Sequence, residues 1–252
     1  MPLSNHPLFA AFFAVLALAC ALLVVPASAQ TASADAPISY KAPAPVRMAY
    51  DVDGVVSSTY SGTAELVWTH DGKNYQSQLL IRKFGLTLQA WTSQGNLTER
   101  GLEPDKFTSK RLGQSEINAR FQRSAGRVSF SEGTPEAPLQ AGAQDQLSVF
   151  MQLASVLAGN SAQGAAGKSI NLQAIGDRYA EQWTFKAGAP ENVKLASGPV
   201  SAIKFTHEPN AERKQRLEIW YAPSLQFLPV RIRITESNGD YLDLVWANSQ
   251  NR

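Results

Sequence analysis

The chain has 252 residues, 44% hydrophobic and 17% charged, with a formal net charge of +2. That balance excludes a disordered polymer, a coiled coil and a strongly basic nucleic-acid binder. The single cysteine, Cys20, excludes an intrachain disulfide framework and any metal site built on several thiolates.

No Lys, Arg, Asp or Glu occurs before Asp35, so the N-terminal stretch differs in kind from the rest. Leu8 to Val25 is an unbroken apolar run of 18 residues, ended by Pro26 and followed by Ala27-Ser28-Ala29. A small-x-small triplet fits the narrow pockets of a signal peptidase, so residues 1–29 read as a signal peptide cleaved after Ala29. The mature protein is then expected in the periplasm, with no transmembrane span. The alternative is a membrane-anchored protein, held by an uncleaved segment or by lipidation of Cys20, since such a run can just cross about 30 Å of hydrocarbon. Ala17-Leu18-Ala19 before Cys20 and the apolar residues after it fit a lipidation signal poorly. Residues 30–45, rich in Ala, Ser, Thr and Pro, read as a linker, and 46–252 as a single mainly-β domain.

Period-two alternation dominates that domain. Between Tyr60 and His70, Leu66 and Trp68 share one strand face, and Glu65 and Val67 share the other. His70-Asp71-Gly72-Lys73 then marks a tight turn into a second strand, Tyr75 to Lys83. Further strands are expected at Leu86–Thr92, Ser115–Phe121, Arg127–Ser131, Lys168–Ile175 and Tyr179–Lys186. The C-terminal third adds Val200–His207, Arg216–Tyr221, Pro229–Glu236 and Tyr241–Ala247. Short strands at this spacing, punctuated by Gly, Pro, Asn and Asp, indicate one antiparallel sheet curled into a half-barrel or barrel, or a sandwich. No internal repeat is evident.

One segment departs from the pattern. Leu147, Met151, Ala154 and Leu157 recur at helical spacing within 146–158, with Asp145 as expected N-cap and Gly159 as expected C-cap. Val149, Phe150, Leu153 and Val156 make this helix apolar nearly all round, so it must be buried on several sides. The expected arrangement is a curved sheet with one apolar helix packed on it or plugging it.

Catalytic motifs are absent. There is no Gly-x-Ser-x-Gly elbow, phosphate loop, His-Glu-x-x-His or dinucleotide fingerprint, and no cofactor or metal site is expected. His70 sits beside a turn and His207 at a strand end, both read as solvated positions. Asp51-x-Asp53-Gly54 lacks the further oxygen ligands of a calcium loop and reads as exposed strand and turn. Arg231 and Arg233 share one strand face, within reach of Glu218 and Asp243. They form either a solvated, ion-paired face or an anion-binding strip. All five tryptophans, Trp68, Trp91, Trp183, Trp220 and Trp246, fall on strand-like runs, where they either fill the core or display an apolar groove.

Several segments carry a resemblance through their order and spacing. They are Trp91-Thr92-Ser93-Gln94-Gly95, Gly101-Leu102-Glu103-Pro104-Asp105-Lys106-Phe107, Gln144-Asp145-Gln146-Leu147-Ser148 and Leu228-Pro229-Val230-Arg231-Ile232-Arg233. Together they resemble DUF3108, an exported proteobacterial family of unknown function, over roughly residues 46 to 247. The resemblance implies a periplasmic, largely β protein and brings no catalytic residues.

The expected function is non-enzymatic binding of an apolar or lipid-like ligand in the curved sheet. Trp68, Trp91, Trp183, Trp220, Phe150, Arg231 and Arg233 are the candidate contacts. The alternative is a structural or interaction protein that docks an envelope partner through a sheet edge or charged face.

Overall fold

A computed structural model describes residues 39–209 and 214–251. The expected signal peptide, with Cys20, and most of the expected linker lie outside them. Alternation becomes strand almost throughout. In chain order come β1 (Val46–Val55), β2 (Thr59–His70), β3 (Asn74–Lys83), β4 (Leu86–Thr98) and β5 (Gly101–Arg111). These are followed by β6 (Ile117–Gln122), β7 (Arg127–Phe130) and two-residue strands β8 (Ala137–Pro138) and β9 (Gln144–Asp145). The helix α1 (Ser148–Gly159) precedes β10 (Ser169–Ile175), β11 (Ala180–Leu195), β12 (Gly198–His207), β13 (Arg216–Ala222), β14 (Leu228–Thr235) and β15 (Tyr241–Asn251).

Among the described residues the fifteen strands form one sheet, in the order β8-β7-β6-β5-β4-β3-β2-β1-β15-β14-β13-β12-β11-β10-β9. Every neighbouring pair is antiparallel except β9 and β10. The sheet curls without closing. Where its two margins approach, side chains replace the backbone ladder: Gln173 donates to the Pro138 carbonyl (2.9 Å) and accepts from the Gln140 amide (2.8 Å). Arg178 and Glu132 form an ion pair between the β10–β11 turn and the segment after β7 (2.7 Å). The described residues belong to one compact unit, Pro37–Arg252.

Inward-facing residues make the core. On β1 these are Val46, Met48, Tyr50 and Val52, and on β2 Tyr60, Ala64, Leu66 and Trp68. β1 is longer than the exposed strand and turn expected around Asp51–Gly54; its exposed residues are the outward-facing Asp51, Asp53 and Val55. β5 was not expected as a strand. Its Pro104 is accommodated where the ladder with β4 shifts register beside Gly95, the kind of position at which a sheet tolerates proline.

α1 begins two residues later than expected and includes Gly159. Asp145 nonetheless serves its start, accepting the Leu147 and Ser148 amides on Oδ1 (2.9 and 2.7 Å). Every residue from Ser148 to Leu157 is buried, so the helix is a plug within the curled sheet. Its contacts fall on one end of the sheet. Gln152 accepts the Leu102 amide (2.8 Å), and the Phe150 carbonyl accepts from the Tyr221 hydroxyl (3.0 Å).

Residues 41–43 cross this plug. The Lys41 amide donates to the Ser155 carbonyl (2.9 Å), and the Pro43 carbonyl accepts from Trp68 Nε1 (2.9 Å). Gly159 is required by the same crossing: a Cβ there would lie 2.1 Å from the Ser39 carbonyl oxygen. Gly159→Ala is therefore expected to lower stability by about 1–3 kcal/mol, the usual range for overpacking. Urea denaturation of the two proteins measures it, and an unchanged midpoint would contradict the close crossing.

Candidate functional site

The residues singled out in the sequence separate into different environments. Trp68 has no exposed surface and stacks on Tyr75, with ring centroids 5.2 Å apart. Trp183 is buried against Phe185 and against His207, whose ring stacks on it at 4.8 Å. His207 is therefore a core residue at 4% exposure, contrary to the solvated edge expected of it. His70 is half-buried, its Nε2 3.0 Å from the Pro43 carbonyl. It lies on β2 and His207 on β12, with four strands between them in the sheet order. Among the described residues no group of three or more His, Cys, Asp or Glu side chains could hold a metal. Phe150 is in the plug.

Trp220 faces the opposite side of the sheet. The far half of the β11–β12 hairpin supplies Val193, Leu195 and Ala202, which form a second small core with Trp220, Ala222 and Val230. Trp220 Nε1 donates to Glu191 (2.5 Å), and the Arg231 guanidinium lies over the indole at 4.6 Å. Arg231 is also bidentate to Asp243 (2.8 and 2.5 Å). Arg233 reaches the same carboxylate at 3.5 Å and covers the Tyr241 ring at 4.1 Å. Asp243 thus draws both arginines into a shared ion pair, as the cross-strand reading expects.

Trp91, by contrast, lines an open cavity. A half-open cleft of about 520 Å³ lies at the end of the sheet away from the α1 contacts. Its walls include Tyr60, Ile81, Leu88, Trp91, Ile234 and Leu242, contributed by strands on both sides of the β1–β15 pair. At the rim Lys83 lies over the Tyr60 ring at 4.9 Å, and Arg111 stands on the same side. Across the mouth Glu236 accepts from Gln215 (2.6 Å), and Asp240 accepts the Ser57 amide (3.2 Å). The cleft is a greasy slot with cations along one lip and tethered carboxylates along the other. Its volume falls within the roughly 300–1,000 Å³ typical of small-molecule sites.

Sequence reasoning found one wall residue and missed the others, because the cleft exists only when the two halves of the sheet curl together.

The buried polar cluster lies elsewhere. Asp145 has no exposed surface, and burial pushes its carboxyl up to about 6. Ser93 donates to it (2.5 Å) and contacts the Tyr75 hydroxyl (2.9 Å), while Ser148 Oγ accepts the Asp145 amide (2.8 Å). Each member holds another in place, and the carboxylate is sealed from solvent. This cluster fastens the plug to β4.

A curled antiparallel sheet around an apolar plug, open at one end into a cleft, defines a β-barrel-like protein. The chain belongs to the family described as protein of unknown function, DUF3108, whose profile matches residues 47–245. Among curated proteins no match is found. Among solved structures the chain resembles a β-barrel-like protein of another domain of unknown function, DUF1849, from Brucella abortus. The TM-score is 0.54 at 11% identity, covering 84% of this chain and all of that one (100%). A domain described as an outer membrane lipoprotein-sorting protein, from Vibrio parahaemolyticus, aligns at TM-score 0.31 and 7% identity, covering 82% and 85% of the two chains. The first likeness is one of fold.

Proposed function

We propose that this is an exported envelope protein that binds an apolar or lipid-like ligand in the cleft beside Trp91, without catalysis. The observation that carries the reading is the cleft itself, an apolar slot left open at the end of the sheet away from the buried helix α1. Such a slot is costly to leave facing water and is characteristic of a ligand site. The polar groups at its rim suit the head of an amphiphile whose tail lies inside. Export is supported by the apolar run Leu8–Val25 followed by Ala27-Ser28-Ala29. Among the described residues no helix is long and apolar enough to cross a membrane. The alternative of docking through a sheet edge or charged face is less well supported, because the outermost strand at each margin has only two residues and Arg231 and Arg233 are already paired with Asp243.

The test is organic extraction of the purified protein followed by mass spectrometry, with titration by the fluorescent fatty acid cis-parinaric acid. The wild type is expected to carry copurifying lipid and to bind the probe. Leu88→Arg, which places a charge on the half-buried wall, should weaken probe binding about tenfold or more. A wild type with neither copurifying lipid nor probe binding would end this reading.

A further inference from the structure

We infer that the turns around the cleft mouth form a docking surface for an anionic phospholipid membrane. Among the described residues the exposed large apolar side chains are Val55, Val56, Phe84, Leu86 and Leu112. They lie on or beside three turns: β1–β2, β3–β4 and β5–β6. Because β1 to β6 pair in sequence and antiparallel, those turns project from the same end of the sheet, the end that opens into the cleft. Exposed apolar residues scattered singly would need no explanation; their gathering at one rim does.

Phe84 supplies an independent reason. It occupies the first position of the two-residue turn with φ of +50°, followed by Gly85 at +76°. Asn, Asp or Gly normally fill such positions, since a bulky side chain is strained there. Phe84 nevertheless sits there at 92% exposure, against the interest of both backbone and side chain. Strain retained together with an unburied ring points to a use outside the folded chain.

Charge selects the partner. Lys83 lies beside Phe84, 5.4 Å from its ring, and Lys110 and Arg111 precede Leu112. The facing carboxylates, Glu236 and Asp240, are engaged by Gln215 and Ser57, and Glu116 follows the third turn. Apolar tips flanked by cations match the boundary of an anionic bilayer, where rings and aliphatic groups enter the acyl region and ammonium groups meet phosphates. Docked this way, the cleft mouth would open onto the lipid surface. The surface and the cleft are carried by different residues, so each can fail alone.

Residues 37–252, the compact unit without the apolar N-terminal run, would be sedimented with phosphatidylcholine vesicles, with or without phosphatidylglycerol. Binding is expected to the anionic vesicles and to weaken as salt is raised. Phe84→Ser combined with Leu112→Ser should reduce it about tenfold or more. Lys83→Glu with Lys110→Glu should abolish the preference for phosphatidylglycerol while leaving the thermal transition in place. Absence of vesicle binding, or binding indifferent to the turn substitutions, overturns the inference, as does turn-dependent self-association in place of vesicle binding. Leu88→Arg separates the two readings. Lipid in the wild-type cleft without vesicle binding sinks only the docking surface, and vesicle binding without lipid in the cleft sinks only the ligand site.

Discussion

Phe150→Ala is expected to lower the stability of the fold by about 3–5 kcal/mol, the range for deleting a buried phenylalanine side chain. Phe150 is 1% exposed within a helix buried from Ser148 to Leu157, and its own carbonyl is held by the Tyr221 hydroxyl on β13. Truncation leaves a cavity that neither helix nor sheet can collapse into, because α1 is also fixed by Gln152 to β5 and by Lys41 across its outer side. Urea denaturation followed by circular dichroism measures the change. The same experiment distinguishes a plug from a movable lid. A helix that swings away to admit a ligand would tolerate Phe150→Ala with a loss near the ±0.5 kcal/mol or so of a surface position. A large loss, with cis-parinaric acid binding retained by the folded fraction, places the ligand in the cleft beside Trp91 and leaves α1 to the core.

The contrast between Phe150 and Trp91 shows what a single sequence reveals here. Helical spacing from Leu147 to Leu157, apolar on nearly every side, was enough to require burial of α1, and burial is what the fold provides. Strand alternation likewise marked Leu66 and Trp68 as partners on one face. Two kinds of information were less accessible. β5 carries Glu103, Pro104, Asp105 and Lys106 in succession, a run with no alternation; it becomes a strand because the shift beside Gly95 lets the ladder pass the proline. The cleft depends on residues distant in sequence, with Ile81 and Leu88 brought opposite Ile234 and Leu242 only by the curvature of the sheet across β2, β1 and β15. Trp220 illustrates the second limit differently. Its alternation is that of any half-buried strand residue, and only the long β11–β12 hairpin crossing the outer face decides that it is covered. His207 was misplaced for a related reason, since Trp183, which buries it, is 24 positions away.

Asp145 predicts a pH dependence of opposite sign to that of most carboxylates. Burial raises its carboxyl to about 6 from an ordinary value of 3.8, outweighing the hydrogen bonds from Ser93, Ser148 and Leu147 that favour the ionised form. Below pH 3.8 the group is protonated in both folded and unfolded chains and favours neither. Between 3.8 and about 6 the folded chain keeps a proton that the unfolded chain releases, so stability falls as pH rises. Above about 6 the full difference has been lost, on the order of 3 kcal/mol. Asp145→Asn keeps an acceptor for the Leu147 and Ser148 amides and removes the ionisation. Its stability relative to the wild type should therefore increase across that window and level off above it. Asp145→Ala removes the acceptor as well. It leaves two buried amides at the start of α1 without their partner, at about 1–3 kcal/mol for each group left unsatisfied. Urea midpoints at pH values below, within and above the window separate the two effects, since other titrating groups are common to all three proteins. If the difference between wild type and Asp145→Asn stays constant with pH, the carboxyl does not titrate there. Asp145 would then be only a cap fastening the plug to β4. If the difference grows as expected, burial of the Asp145 carboxyl costs the fold nothing below about pH 3.8 and its full penalty above about 6.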